Sequence, residues 1–329
     1  MSRAVTFSRY GGPEVLEIVE VPIPVPGPGE VVVAVMSAGL NPIDTSIREG
    51  RLQKQWPLSL PAGHGGDFAG FIYRLGEGVV GWKVKDAVLG HTVHGAQAEF
   101  VLVPAGNVIR KPEGLSWEIA GSLFVAAASA WAAVQGANPG PGRTVLVHAA
   151  AGGVGIIAAQ LAKRRGATVI GTASPESFDR LRQLGVVPVE YGPGLQDELR
   201  RVAPRGVDAE LEHDCDPTIA TVDSTNNAAL TRIAQLIEDR QITVPVAAIY
   251  PLDDVAVAYR ELEAGHAHGK IVLSMVPVAY TRQKVHGIDI RYSEATRDAP
   301  DRKQGPPTRE VLPPVFGHRH HPAPLITVG

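Results

Sequence analysis

The sequence predicts an α/β protein with a β-rich first part and a second part in which strands and helices alternate around a parallel sheet. Short β-branched runs broken by proline and glycine fill the first hundred residues, which suits short strands and turns. From Arg143 onward, strand-like and helix-like runs alternate, as in right-handed strand–helix–strand crossovers. The 329 residues, 44% of them hydrophobic, are enough for two domains.

The first part is predicted to form strands before it forms any helix. The stretch VLEIVEVPIPVPGPGEVVVAVMSAGL, residues 15–40, predicts strands interrupted by turns and edge positions. Ser116 is a suitable N-cap for the first run with helical period. Further strands are predicted at 67–75, 87–89 and 98–103, and helices at 117–124 and 126–135.

The second part alternates regularly. Its strands are predicted at RTVLVHA, ATVIGTA, VVPVEY and VDAEL, with a helix after each of the first three. A late helix around Leu230–Ile237 is followed by the strand TVPVAAIY, a helix from Asp253 or Asp254 to Ala264, and the strand KIVLSMV. Residues 277–329 are rich in Pro, Arg and His without periodicity, which predicts a largely disordered tail.

Composition excludes several classes of function. The formal net charge of −3 provides no basic surface for nucleic acid or an anionic membrane, so we expect neither partner. The only cysteine, Cys215, excludes intramolecular disulfides and thiolate zinc clusters. The N-terminus lacks the apolar core of a signal peptide, and no apolar run reaches the roughly 18 residues that span a bilayer. We therefore expect a cytoplasmic protein.

The turn VHAAAGGVG carries the chemistry of the second part. Ala150, Gly152 and Gly155 have the spacing of the G-x-G-x-x-G dinucleotide fingerprint, with Ala in the first position. Gly152 would let the backbone approach a pyrophosphate, and Gly155 would let the helix pack closely on the strand. The N–H groups of the first helical turn, at Gly153 and Val154, would face the phosphates. A plain strand-to-helix turn is the alternative.

The end of the second strand of this part indicates which dinucleotide binds. A carboxylate there would bind the adenosine ribose of NAD and repel the 2′-phosphate of NADP. This chain has Thr172, Ala173 and Ser174 there, with no acid, so we predict NADPH. Thr172 and Ser174 are candidate contacts. Arg180 or Arg182 could supply positive charge, although a solvated helix face explains both arginines equally well.

Several motifs, in the correct order, resemble one family. They are YGGPEVLEIVEVPIPVPGPGEVVVAV, AGLNPIDTSIREG, GGDFAG, AEFVLVPA, HAAAGGVG, GTAS and YPLDDVAVAYRELEAGHAHGKIVL. The chain resembles the zinc-independent quinone oxidoreductase branch of the medium-chain dehydrogenase/reductase superfamily. The resemblance implies a GroES-like β domain over 1–116, a Rossmann domain over 117–252 and a return to the first domain over 253–276. It also implies an active site in the cleft between domains.

The resemblance assigns further site residues and a reaction. It implies that Asn41, Asp44 and Ser129 line the cleft as catalytic residues, with a local turn cap in NPID as the alternative for Asp44. It implies cofactor contacts for Tyr191 and Lys270, with packing and surface exposure as their alternatives. The implied reaction transfers a hydride from NADPH to a quinone or an activated enone, without a metal.

Zinc is not expected. The zinc-containing relatives place a cysteine where this chain has Asn41, and they carry a four-cysteine lobe that this chain lacks. His64, in GHGGDFAG, resembles part of their zinc motif, but no thiolate can join it. We expect His64 to be a turn or cleft residue.

The chain departs from the family in the second half of its Rossmann domain. From Leu211 to Ala228 there is room for a loop or one short strand, not for a strand–helix–strand unit. We therefore expect the fourth strand at an exposed sheet edge unless the stretch TIATV, residues 218–222, or the tail covers it. A homodimer is possible, although the strand that usually forms its interface is missing. Two functions stay open: an NADPH-dependent reductase, or an NADPH-binding protein with little catalysis. The enoyl reductases of polyketide synthesis share the fold and differ in their thioester substrates.

Overall fold

A computed structural model describes most of the chain. The described residues are 1–211, 224–265, 267–275, 284–285, 288–289 and 291–292. All of them belong to one unit, Met1–Glu294. None of the helices in this part of the chain is long and apolar enough to cross a membrane.

The first part forms eight strands and one α-helix. They are β1 Ser2–Phe7, β2 Leu16–Val21, β3 Glu30–Gly39, α1 Pro42–Arg48, β4 Ala62–Gly63, β5 Asp67–Leu75, β6 Ala87–His91, β7 Phe100–Pro104 and β8 Val108–Arg110. The short helix α1 is missed by the sequence patterns, because two turns of helix are too short to display a period. It matters for function because the predicted residue Asn41 immediately precedes it.

Strand β3 is central to the first part. It pairs antiparallel with β5 on one side and with β7 on the other, and β5 continues to β6 and β8. Its valines are buried because both edges are paired and its faces contact the core, notably Val31, Val32 and Val33. The strands β2, β1 and β4 form a separate three-stranded sheet.

The second part alternates strands and helices, as predicted. Its elements are α2 Trp117–Ala120, α3 Phe124–Ala137, β9 Thr144–Val147, α4 Gly153–Arg164, β10 Thr168–Ala173, α5 Phe178–Gln183, β11 Val187–Glu190, α6 Leu195–Val202, β12 Ala209–Leu211 and α7 Ser224–Glu238. The helices α3 and α4 pack against each other and bury mainly small and aliphatic side chains. Alanines at 126, 127 and 130 on α3 allow the two helices to approach closely.

The second sheet has the order β11-β10-β9-β12, and all its pairs are parallel. This confirms the predicted α/β class with a GroES-like sheet and a Rossmann-like sheet. Among the described residues, strand β12 lies at the end of the strand order. The residues that could follow β12 along this edge, 212–223, lie outside the described residues.

The return to the first sheet begins earlier than residue 253. The last elements are β13 Val246–Pro251, α8 Val255–Glu263 and β14 Lys270–Ser274. Strand β13 pairs parallel with β14, and β14 pairs antiparallel with β3. The pattern of TVPVAAIY fits either sheet, and only the pairing shows that β13 joins the first one.

The predicted disordered tail, 277–329, lies almost entirely outside the described residues. Three two-residue strands within it are described: β15 Lys284–Val285, β16 Ile288–Asp289 and β17 Arg291–Tyr292. Strand β17 pairs with β13, and β15 pairs with β16.

Candidate cofactor and active site

The glycine-rich turn joins β9 to α4. Ala149 adopts a left-handed conformation with φ of 44°, which reverses the chain, and α4 begins at Gly153. A Cβ on Gly155 would lie 2.3 Å from the carbonyl oxygen of Ala149, so only glycine allows the helix this close to the turn. A Cβ on Gly152 would meet only that same oxygen, at 3.2 Å. Gly155 is therefore required by packing, whereas Gly152 leaves its backbone accessible.

Thr172 holds this turn from the neighbouring strand. Its hydroxyl accepts a hydrogen bond from the backbone N–H of Ala149 at 2.9 Å, and its carbonyl accepts one from Ala150 at 2.8 Å. Ala150 and Thr172 are both buried. Both residues thus shape the turn from below, and neither lines the cavity beside it.

A cavity of about 500 Å³ lies beside the turn. Its walls come from the turn, from the end of β10, from Tyr191 after β11 and from the segment between α8 and β14. The lining residues are Ala149, Ala151, Gly152, Ala173, Ser174, Pro175, Glu176, Ser177, Tyr191, Gly265, Ala267 and His268. This volume lies within the range of roughly 300–1,000 Å³ that is typical of small-molecule sites.

The structure places three predicted contacts, Gly152, Ser174 and Tyr191, on this cavity. It does not place Arg180 there. The guanidinium of Arg180 donates to the backbone carbonyl of His268 at 2.6 Å and thereby supports the wall from behind. Two lining residues, Glu176 and His268, are absent from the sequence-based site. Glu176 follows the end of β10 by three residues, so an acid is present just beyond Thr172–Ser174, the stretch without an acid on which the prediction of NADPH rests.

A second group of polar residues is buried at the start of α1. Lys270, at the first position of β14, donates to Asn41 Oδ1 at 2.5 Å and to the carbonyl of Leu40 at 3.1 Å. Asn41 Nδ2 in turn donates to Asp67 Oδ2 at 3.1 Å. The other oxygen of Asp67 accepts from the backbone N–H of Val125 at 3.1 Å. The Asn41 amide is therefore fixed in orientation between a cation and a carboxylate.

Asp44 belongs to the same group and also caps α1. Its Oδ2 accepts from the backbone N–H of Asn41 at 2.9 Å and from the Tyr259 hydroxyl at 3.1 Å. Burial, and then the nearby charge of Asp67, raise the pKa of Asp44 to about 7. Burial also raises the pKa of Asp67, which Lys270 partly counteracts. The turn-cap alternative for Asp44 is thus present in the structure, together with its burial beside Asn41.

His64 is held in the interior behind Asp44. Its Nδ1 lies 2.9 Å from Gln97 Oε1, and Gln97 Nε2 donates to the Tyr259 hydroxyl at 2.7 Å. The imidazole packs edge-on against Phe7 and Tyr259. Burial lowers the pKa of His64 to about 4, so this ring is neutral near pH 7.

Lys270 connects the two parts of the site. A Cβ on Gly153 would lie 2.7 Å from Lys270 Cδ, so the lysine side chain passes directly over the first turn of α4. Its ammonium then reaches Asn41. The structure thereby brings Gly153, Lys270, Asn41 and Asp44 together. The predicted catalytic residue Ser129 lies half-buried on α3 and has no hydrogen bond to this group.

The residues present do not fit a zinc ion. Zinc sites need three or four Cys, His or carboxylate ligands, and the Asn41 amide is not one of them. His64 Nδ1 is already engaged by Gln97. Within the described ranges, no group of three or more His, Cys, Asp or Glu could hold a metal ion.

Two family models match the chain. The alcohol dehydrogenase GroES-like domain matches residues 27–113, and the zinc-binding dehydrogenase model matches residues 158–273. The quinone oxidoreductase of Escherichia coli, solved in complex with NADPH, superposes with a TM-score of 0.74 and 26% identity, over 83% of this chain and 99% of that one. The human quinone oxidoreductase is 34% identical over 184 residues, which are 55% of this chain and 55% of the relative.

The chain belongs to the quinone oxidoreductase branch of the medium-chain dehydrogenase/reductase superfamily. A further relative, the synaptic vesicle membrane protein VAT-1 of Tetronarce californica, is 32% identical over 224 residues. These residues are 66% of this chain and 56% of that protein. The matched region thus spans about half the length of these curated relatives.

Some residues of this member of the branch escaped the sequence analysis. Asp67 lies in the motif GGDFAG and Tyr259 in the motif AVAYRELEAG, both of which carried the resemblance without being assigned a role. The signal in the sequence was a polar side chain within an otherwise apolar stretch. The structure shows that both side chains are buried. For His268 the sequence offers no signal, since a histidine in a loop is common.

Proposed function

We infer that this protein is a metal-independent oxidoreductase that uses NADPH to reduce a quinone or an activated alkene. The observation that carries the proposal is the path of Lys270, which spans from the glycine turn to the buried amide of Asn41. One side chain thus contacts both the predicted phosphate cradle and the predicted catalytic group. A plain structural turn would not require a buried ammonium at this position.

The residues of the cavity fit a dinucleotide. The accessible backbone at Gly152 and the N-terminus of α4 suit a pyrophosphate, because free N–H groups and the helix dipole favour an anion there. Ser174 and Tyr191 line the end of the cavity where the adenosine half would lie. When bound, the cofactor would supply the hydride, and the protein would hold it in place.

The buried group at α1 suits the stabilisation of negative charge on a substrate oxygen. Lys270 and the Asn41 amide are fixed by hydrogen bonds before any substrate arrives, so little reorganisation is needed during the reaction. Their burial excludes water, which strengthens electrostatic interactions. Asp67 keeps the Asn41 amide in its orientation and partly balances the charge of Lys270.

The choice of NADPH over NADH is supported by the absence of an acid at Thr172–Ser174 and by the NADPH bound to the Escherichia coli relative. Glu176 on the cavity wall acts in the opposite direction. Measuring the dissociation constants of both reduced cofactors by fluorescence titration tests this choice. We expect tighter binding of NADPH.

The activity is tested by following NADPH oxidation with a series of quinones and enones. We expect turnover by the unchanged protein, and a loss of about a hundredfold in kcat for Lys270→Met, because a preorganised donor contributes about 10²–10³ in rate. The exposed Lys83 provides a matched control, and Lys83→Met should retain full activity.

Binding of NADPH without oxidation across the whole series would contradict the reductase proposal. It would favour the second candidate, an NADPH-binding protein without catalysis. This candidate is supported by the second sheet, which has four strands among the described residues and ends at β12.

A further inference from the structure

His268 forms part of the cavity wall although it lies far along the chain from the nucleotide-binding elements. It belongs to the segment between α8 and β14, and it lines the same cavity as Ser174, Glu176 and Ser177. His268 lies outside the strand–helix units, and neither the glycine turn nor the sheet requires an imidazole there. The position therefore calls for an explanation in terms of what the cavity binds.

Two hydrogen bonds fix His268 in place. Ser177 Oγ lies 2.9 Å from Nδ1 of the imidazole, and Arg180 Nη1 donates to the His268 carbonyl at 2.6 Å. The ring is thus tied at Nδ1, and the backbone is tied to α5. Because Nδ1 is engaged, Nε2 remains as the polar atom of the ring that a ligand could use.

This wall corresponds to the adenosine end of a dinucleotide site. In this fold, the residues that follow the second strand contact the adenosine ribose, and here those residues are Ser174 to Ser177. Of the residues that line the cavity, none is Lys or Arg. If a 2′-phosphate binds here, side-chain hydrogen bonds must come from His268 and the serines, and the nearest guanidinium on this wall is that of Arg180 behind them.

We propose that His268, oriented by Ser177 and Arg180, binds the 2′-phosphate of NADPH and determines the preference for the phosphorylated cofactor. This rests on the proposed function, because it assigns a residue to the adenosine end of the same site. His268 contacts the ligand directly. Arg180 is a positioning residue, because its guanidinium holds the His268 backbone instead of lining the cavity.

Glu176 opposes this interaction. Glu176 lines the same cavity. A carboxylate there would repel a phosphate and could accept a hydrogen bond from a ribose hydroxyl. The preference for the phosphorylated cofactor therefore depends on the balance between Glu176 and His268, and each can be changed separately.

The proposal is tested with two cofactor fragments, 2′,5′-ADP and 5′-AMP, which differ only in the 2′-phosphate. Their dissociation constants are measured by calorimetry on the full chain, for the unchanged protein and for His268→Ala. We expect 2′,5′-ADP to bind about tenfold more weakly to the variant, the usual size of one hydrogen bond to a charged group, with 5′-AMP unchanged. Glu176→Gln should instead tighten 2′,5′-ADP and leave the His268 effect in place.

Arg180→Met tests the positioning role. It should reduce the ratio of the two affinities without abolishing 5′-AMP binding, and His268→Gln, which retains a donor, should recover part of the ratio. Equal weakening of both fragments by His268→Ala would overturn the proposal, because the residue would then only hold the wall together. An unchanged affinity for 2′,5′-ADP would overturn it as well.

These measurements require no turnover, so they separate the two proposals. A protein that discriminates the fragments through His268 but reduces no quinone or enone supports this inference and contradicts the reductase function. A protein that binds neither fragment contradicts both the cofactor site and the role of His268.

Discussion

At the scale of single residues, two glycines of one turn have different functions. Gly155 has no room for a side chain, since a Cβ would lie 2.3 Å from the carbonyl oxygen of Ala149 and 2.9 Å from the Cα of Ala150. Gly152 lines the cavity, and a Cβ there would meet a single neighbour, the carbonyl oxygen of Ala149 at 3.2 Å. The fingerprint therefore combines a packing requirement with a ligand requirement, and the two can be separated by experiment.

Replacing each glycine by alanine should separate these requirements. Gly155→Ala should lower the free energy of unfolding by about 1–3 kcal/mol, because overpacking forces the backbone to shift. Gly152→Ala should cost less than about 1 kcal/mol of stability while weakening NADPH, whose pyrophosphate would meet the new methyl group. Urea unfolding and fluorescence titration measure the two effects. Identical behaviour of the two variants in both measurements would contradict a packing role for Gly155 that is separate from a ligand-binding role for Gly152.

At the scale of elements, the important contact joins α1 to α8. Arg48 Nη2 lies 2.5 Å from Glu263 Oε1, and the Thr45 hydroxyl donates to the same oxygen at 3.1 Å. The Arg48 side chain is fully buried and lies 5.2 Å from the Tyr259 ring centroid. Because α1 begins at the Asn41–Asp44 cap, this contact fixes the helix that presents the buried polar group.

Removing Glu263 should destabilise the protein. Glu263→Ala leaves a buried guanidinium without its carboxylate, which costs about 2–4 kcal/mol after allowance for the 26% exposure of the Glu263 side chain. Asp197 provides the control, because its ion pair with Arg200 on α6 is exposed, and Asp197→Ala should cost less than about 1 kcal/mol. Chemical denaturation measures both. Comparable losses of stability for the two variants would contradict the claim that burial makes the Arg48–Glu263 pair more stabilising than an exposed ion pair.

At the scale of the whole molecule, buried ionisable groups make stability depend on pH in opposing directions. The pKa of Asp44 is raised to about 7, so the folded state keeps its proton where the unfolded state has lost it. This contribution lowers stability as pH rises from about 4 to 7. The pKa values of His64 and His91 are lowered to about 4 by burial, and both contributions raise stability as pH rises from about 4 to 6.5.

The difference between a variant and the unchanged protein isolates the Asp44 contribution. Asp44→Asn cannot ionise, so its free energy of unfolding should increase relative to the unchanged protein as pH rises from 5 to about 7.5. Urea unfolding at several pH values measures this difference. Asp179→Asn, the same substitution at an exposed position on α5, is the matched control. A constant difference for Asp44→Asn would contradict the assignment.

The sequence by itself determined the local elements. The alternation of strands and helices from β9 to β12 and the glycine turn follow from periods and small residues that are close together along the chain. The resemblance to the family placed Asn41, Asp44 and Lys270 in one site. It could not show that Asp44 caps α1 or that β13 belongs to the first sheet.

Only the tertiary structure decided which distant residues share a site. Lys270 and Asn41 are 229 positions apart, and Arg180 and His268 are 88 positions apart, so no local pattern relates them. Each contact exists because β14 pairs with β3 and returns the chain across the nucleotide-binding elements. Hydrophobic periodicity specifies which face of an element is buried, but it does not specify which element covers that face. The polar contacts of this site depend on which element covers each buried face.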